Sequence, residues 1–326
     1  MHADLHQPAT APARLAEFPV AFFSVVMGLL GFTLALHAAE ATLGLPGWPS
    51  AAALALGIAA FVTIGLLYTA KMLRHPAAVR SEWAHPVRLA FFPAFSISLL
   101  LIATTLLPHA PETARVIWLV AVVVQAVLTL SVIANWIGAR AFLQAQLSPA
   151  WFIPAVGNVL VPVAGAALGF VELSWLFFSA GLIFWIILLT LVINRLIFHD
   201  PLPERLYPTL VILVAPPAVA FIAYLRLGLE VDAFARILLN VGYVFAAVVA
   251  TQLPRFRRLP FALSWWALSF PLAALAVASL LFADAVDSTP HRLIGLALVA
   301  FLAVAIVALA WRTGKAVVAG EICRPE

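Results

Sequence analysis

Pro149-Ala-Trp-Phe-Ile-Pro-Ala-Val-Gly-Asn-Val-Leu-Val-Pro-Val-Ala-Gly-Ala-Ala-Leu-Gly-Phe170 is a bilayer-length apolar run with no charged side chain, interrupted by Pro154 and Pro162. Its length suits the roughly 20 residues that a helix needs to cross the hydrocarbon. Its prolines suit a lipid-facing helix poorly, because each removes a backbone donor and crowds the preceding turn. In lipid the freed backbone groups must be satisfied by protein or by water in a cavity. A segment of this kind belongs inside a bundle, with other helices between it and the lipid.

The rest of the chain repeats the theme. Apolar stretches of similar length lie at 18–38, 49–70, 87–107, 115–137, 149–170, 173–194, 206–225, 233–253, 260–282 and 293–311. Inside these spans the prolines fall at Pro19, Pro93, Pro154, Pro162, Pro216, Pro217 and Pro271, all in odd-numbered spans, whereas the interiors of the even spans have none. The economical reading is an all-α integral membrane protein of ten transmembrane helices, built as five helical hairpins. Broken odd helices line an inner ring and regular even helices form an outer wall, in a quasi-fivefold arrangement around a pore. Small residues beside the breaks, among them Ser24, Gly28, Ser96, Gly157 and Ser269, permit close helix packing or leave a lumen.

Composition agrees with this class and excludes others. Of 326 residues, 65% are apolar and only 10% charged, too apolar a balance for a soluble or disordered chain. The single cysteine, Cys323, rules out a disulfide scaffold and a thiolate metal cluster, and reads as an inert tail residue. A net charge of +4 needs no nucleic-acid partner. It follows from orientation: the side shared by the N-terminal tail, the even-to-odd connections and the C-terminal tail carries fourteen Lys and Arg, and the opposite side carries Arg115, Arg226, Arg236 and Arg292. The positive-inside rule then places both termini in the cytoplasm of a cell with an inner membrane. The expected organisation is a cytoplasmic tail at 1–17, a transmembrane domain at 18–312 and a second cytoplasmic tail at 313–326, with lipids as the surrounding partners.

No span holds Asp, Glu, Lys or Arg near its centre, so the sequence offers no proton relay or buried ion-pair switch. An uncharged pore still admits anions when hydroxyl and backbone donors face the path and a basic vestibule concentrates them. The loop clusters Lys71, Arg74, Arg80 and Arg88, and Arg255, Arg257 and Arg258, are candidates for such a vestibule, or serve only as orientation signals. HExxH, GxSxG, Walker and dinucleotide-binding motifs are absent, so no catalytic residue, cofactor or metal site is expected and an enzyme is disfavoured. Asn158, beside Gly157, is a polar candidate for the lumen.

The words Leu259-Pro-Phe-Ala-Leu-Ser-Trp-Trp-Ala-Leu-Ser-Phe-Pro271, Phe18-Pro-Val-Ala-Phe-Phe-Ser-Val-Val-Met-Gly28 and His85-Pro-Val-Arg-Leu-Ala-Phe-Phe-Pro93 resemble the tellurite-resistance/dicarboxylate transporter family. That family includes bacterial TehA and the plant guard-cell slow anion channels. The resemblance covers about residues 15–315 and implies a homotrimer with one pore per subunit. It also implies an aromatic plug in the ninth helix, which the family word and the Trp265-Trp266 register place on Phe261. Phe22, Phe95 and Phe221 are candidate ring neighbours, and Ser24, Gly28, Ser96, Gly157, Asn158 and Ser269 candidate pore-lining residues. The implied function is a passive, selective anion channel for small inorganic or carboxylate anions. The alternative is a secondary transporter of C4-dicarboxylates such as malate, or an exporter of sulfite- or tellurite-type anions.

Overall fold

A computed structural model of the chain describes residues 14–139 and 142–323, and every regular element in it is a helix. Among the described residues nine helices are long and apolar enough to cross a membrane. They are α1 (Val20–Leu43), α2 (Trp48–Arg74), α3 (Arg88–Leu106), α4 (Pro111–Gly138), α6 (Val171–Phe198), α7 (Tyr207–Arg226), α8 (Ala233–Ala250), α9 (Leu263–Val286) and α10 (Thr289–Val318). Between α4 and α6 lies a shorter apolar helix, α5 (Pro149–Gly165). It ends before the expected limit at residue 170, because the chain turns after Gly165 and passes Gly169 at φ 88°, a left-handed conformation that glycine adopts without strain. A short connecting helix, Pro76–Ala84, was not foreseen. Arg140 and Arg324, counted in the charge balance above, lie outside the described residues, as do the first thirteen residues of the N-terminal tail.

The prolines do what their chemistry requires. α1, α3, α7 and α9 each begin as a 3-10 turn, over Val20–Phe22, Arg88–Phe91, Tyr207–Val214 and Leu263–Leu268, and continue as an α-helix. The switch falls at or beside Pro93, Pro216 and Pro271, while Pro19 stands just ahead of α1. α5 alternates 3-10 and α twice, with Pro154 and Pro162 in its two α pieces. In a 3-10 turn the carbonyl bonds three residues ahead instead of four, so a carbonyl that loses its α-helical donor to a proline still finds a partner. Ile212, four residues before Pro216, accepts from the Ala215 amide in this way. The even helices are α-helical throughout, save for a π turn over Asn135–Ala139 at the end of α4.

Burial follows the same alternation. In the apolar windows of α3 and α7, 72% and 89% of residues are buried, against 22% in α2 and α8. Each odd segment packs on the even helix that follows it, and the odd segments touch in the order α1, α3, α5, α7, α9 and back to α1. Glycine sets the closest of these approaches: a side chain at Gly28 of α1 would collide with Ser269 of α9, and one at Gly31 would stand 3.1 Å from Phe270.

Candidate functional site

Where the broken segments meet, the bundle encloses a cavity of about 60 Å³. All five odd segments line it: α1 through Ser24 and Met27, α3 through Phe91 and Ile97, α5 through Phe152 to Leu160, α7 through Ile212 to Val219, and α9 through Trp266 to Pro271. No charged side chain contributes to the wall. Its one hydroxyl, on Ser24, donates to the Ala21 carbonyl at 2.6 Å. Room for a handful of waters, walled by Phe91, Phe152, Trp266 and Phe270, is a place that water leaves easily and a hydrated ion cannot cross.

The sequence-predicted residues divide into two groups. Ser24, Gly157, Pro216 and Pro271 do line the cavity. The others do not. Gly28 and Ser269 face each other across the α1 and α9 contact, with the Ser269 hydroxyl donating to the Trp266 carbonyl at 2.6 Å. Phe22 stacks on Phe18 at 4.6 Å, Phe95 packs between Phe23 and Phe61 toward α2, and Phe221 is fully buried near Phe282. Ser96 and Asn158 point toward α4. Ser96 donates to Gln125 Oε1 at 2.7 Å, and Asn158 Oδ1 accepts from Gln125 and Thr129.

Phe261 stands ahead of α9 in the non-helical stretch before Leu263, partly buried and outside the cavity wall. The indole of Trp265 donates back to the Pro260 carbonyl at 3.0 Å, which ties this stretch down. Trp266 turns the other way, fully buried, its indole donating to Thr313 of α10 at 2.9 Å while its ring faces the cavity. Two rings of α9 thus stand at the cavity beside Pro271, those of Trp266 and Phe270.

Gln125 is the residue that sequence reading missed. It is completely buried in α4, accepts from Ser96, and donates to Thr129 at 3.1 Å and to the Pro154 carbonyl at 3.3 Å. A lone amide in the middle of an apolar span was the available signal. The basic clusters also resolve. Arg74, Arg80, Arg255, Arg257 and Arg258 are exposed at the bundle end. Lys71 is instead buried against Glu82 at 2.7 Å and takes no part in a vestibule. Burial holds the Cys323 thiol above its usual range, so it carries little thiolate. Among the described residues no group of three or more His, Cys, Asp or Glu side chains is placed to hold a metal ion.

Residues 17–314 match the family described as voltage-dependent anion channel. The chain belongs to that family. It is 27% identical over 302 residues to the S-type anion channel SLAH3 of Arabidopsis thaliana, a match covering 90% of this chain and 48% of that protein. To the guard cell S-type anion channel SLAC1 of the same plant it is 24% identical over 303 residues, covering 90% of this chain and 54% of the relative. A tellurite resistance protein TehA homolog of Haemophilus influenzae is 30% identical over 266 residues, 79% of each chain. The chain spans about half the length of the two plant channels it matches. The chain is thus a multi-pass membrane protein of this family.

Proposed function

We propose that the protein is a passive anion channel in which α1, α3, α5, α7 and α9 surround the ion path and α2, α4, α6, α8 and α10 face lipid. The observation that carries this reading is one apolar cavity to which each broken segment, and no regular helix, contributes wall. α5 fits as a tenth crossing despite its 17 residues, because its 3-10 turns rise further per residue and bring it to about 29 Å, near the hydrocarbon thickness. The positive-inside count supports cytoplasmic termini and an inner-membrane location. The kinship supports a homotrimer with one path per subunit. The plant relatives are named as anion channels, which supports small anions as the permeant class.

The gate is an aromatic ring of the ninth segment. Phe270 is the better candidate than Phe261, since it reaches the cavity at the proline break while Phe261 stays on the approach to it. Displacing the Phe270 ring widens and wets the constriction, and a partly dehydrated anion then passes. Planar-bilayer currents in chloride and nitrate test this with wild type, Phe270→Ala and Phe261→Ala. The expected result is a large current from Phe270→Ala alone. A large current from Phe261→Ala alone moves the gate to that ring. Silence in all three, with uphill malate uptake driven by a pH gradient in proteoliposomes, overturns the channel reading in favour of a coupled carrier.

A further inference from the structure

A second feature lies away from the cavity, where α6 runs into the connection to α7. A recess of about 360 Å³ is lined there by Ala145, Arg195, Phe198, His199, Asp200 and Pro201. Arg195 is only 2% exposed. Its guanidinium is held by two backbone carbonyls, that of Asp200 at 3.0 Å and that of Ala145 at 3.4 Å, while its Nε, also buried, has no partner. A buried guanidinium is costly unless an anion compensates it, and carbonyl dipoles do so only in part. The Asp200 carboxylate, on the exposed connection and itself lining the recess, forms no close ion pair with Arg195 but attracts its charge, and it is the one acid that an anion entering the recess would face among the lining residues.

Among the described residues five buried side-chain polar atoms lack a partner, and Arg195 Nε is the one of them that belongs to a residue lining the recess. Phe198, at 73% exposure, puts the mouth of the recess at the apolar margin of the bundle, and exposed His199 lies beside it.

We infer that this recess binds a phosphate oxyanion, held by Arg195 and His199 at the end of the bundle that carries the even-to-odd connections. A planar guanidinium with fixed orientation suits a phosphate better than a point charge does. Its position at the lipid margin makes the headgroup phosphate of an anionic phospholipid one source and free phosphate the other. The site is independent of the ion path and of the channel reading.

Native mass spectrometry of the detergent-purified full chain tests the inference, with phosphatidylglycerol and inorganic phosphate as separate probes. Wild type is expected to retain one of them, and His199→Glu to lower its binding by about fivefold, the worth of one charge near a membrane surface. Arg195→Met is expected to abolish binding. Should that variant fail to fold, His199→Glu, on an exposed residue, still decides the question. Retention of phosphatidylglycerol that inorganic phosphate does not displace assigns the headgroup as the source, and displacement by inorganic phosphate assigns the free ion. Equal binding of both probes to wild type and His199→Glu, or no binding to wild type, overturns the inference.

Discussion

Gln125 has neighbours on three helices. Its amide joins Ser96 of α3, Thr129 of its own helix, and the Pro154 carbonyl and Asn158 of α5. Thr129 also donates to the Pro154 carbonyl, at 2.8 Å. That carbonyl lies where α5 passes from α to 3-10 geometry, so donors from α4 satisfy backbone that the break has loosened. Gln125→Leu keeps the volume and removes the bonds. Thermal unfolding of the detergent-solubilised protein is expected to show a loss of about 1–3 kcal/mol, the cost of stranding buried polar groups. An unchanged melting temperature would mean that water takes over the bonds. Phe261 and Phe270 teach the complementary lesson. Both belong to one sequence word nine positions apart, and which of them meets the cavity depends on where the 3-10 turn begins, a matter settled by the packing of Trp266 against Gly28 and Thr313.

The start of α1 depends on an element that the hydropathy pattern does not reveal. Glu82, in the short helix Pro76–Ala84, accepts from the Val20 amide at 2.7 Å and the Tyr68 hydroxyl at 2.9 Å. Lys71, in the last turn of α2, pairs with Glu82 and donates to the Phe18 carbonyl at 2.8 Å. The free backbone groups on either side of Pro19 are thus held by a buried ion pair between the end of α2 and the connection that follows it. Glu82→Gln is expected to destabilise the protein by about 3–5 kcal/mol, because it leaves the Lys71 ammonium buried without a counter-charge. The double variant Lys71→Met/Glu82→Gln is expected to recover most of that loss. Denaturant unfolding of both variants checks this, and equal destabilisation by single and double changes would contradict it. At this scale the sequence was largely legible. Proline placement separated the more buried helices from the less buried ones, because a broken backbone cannot face lipid wherever it sits in the chain. Lys71 was grouped with the vestibule candidates and its ion pair was not foreseen, because hydropathy places a residue along the membrane normal and says nothing of which neighbour it meets.

At the scale of the whole molecule, the wall composition of the cavity predicts an order of permeation. On the proposed channel reading, a path walled by phenyl rings, prolines and a single hydroxyl offers a passing anion little to replace its water. The barrier is then dominated by dehydration, which is steepest for ions that hold their water tightly. On the same reading, exposed Arg74, Arg80, Arg255, Arg257 and Arg258 would raise the local anion concentration at one end without distinguishing among monovalent anions. In Phe270→Ala, reversal potentials under bi-ionic conditions are expected to rank nitrate above chloride and chloride above fluoride, with sulfate the least permeant. Raising the ionic strength is expected to weaken the contribution of the basic end, since the Debye length falls to about 3 Å at 1 M salt, while leaving the ranking unchanged. A ranking that inverts, with fluoride or sulfate ahead of nitrate, would require coordinating donors in the open path. Those donors would have to come from backbone carbonyls and amides turning at the proline breaks, since Ser24 supplies only one hydroxyl.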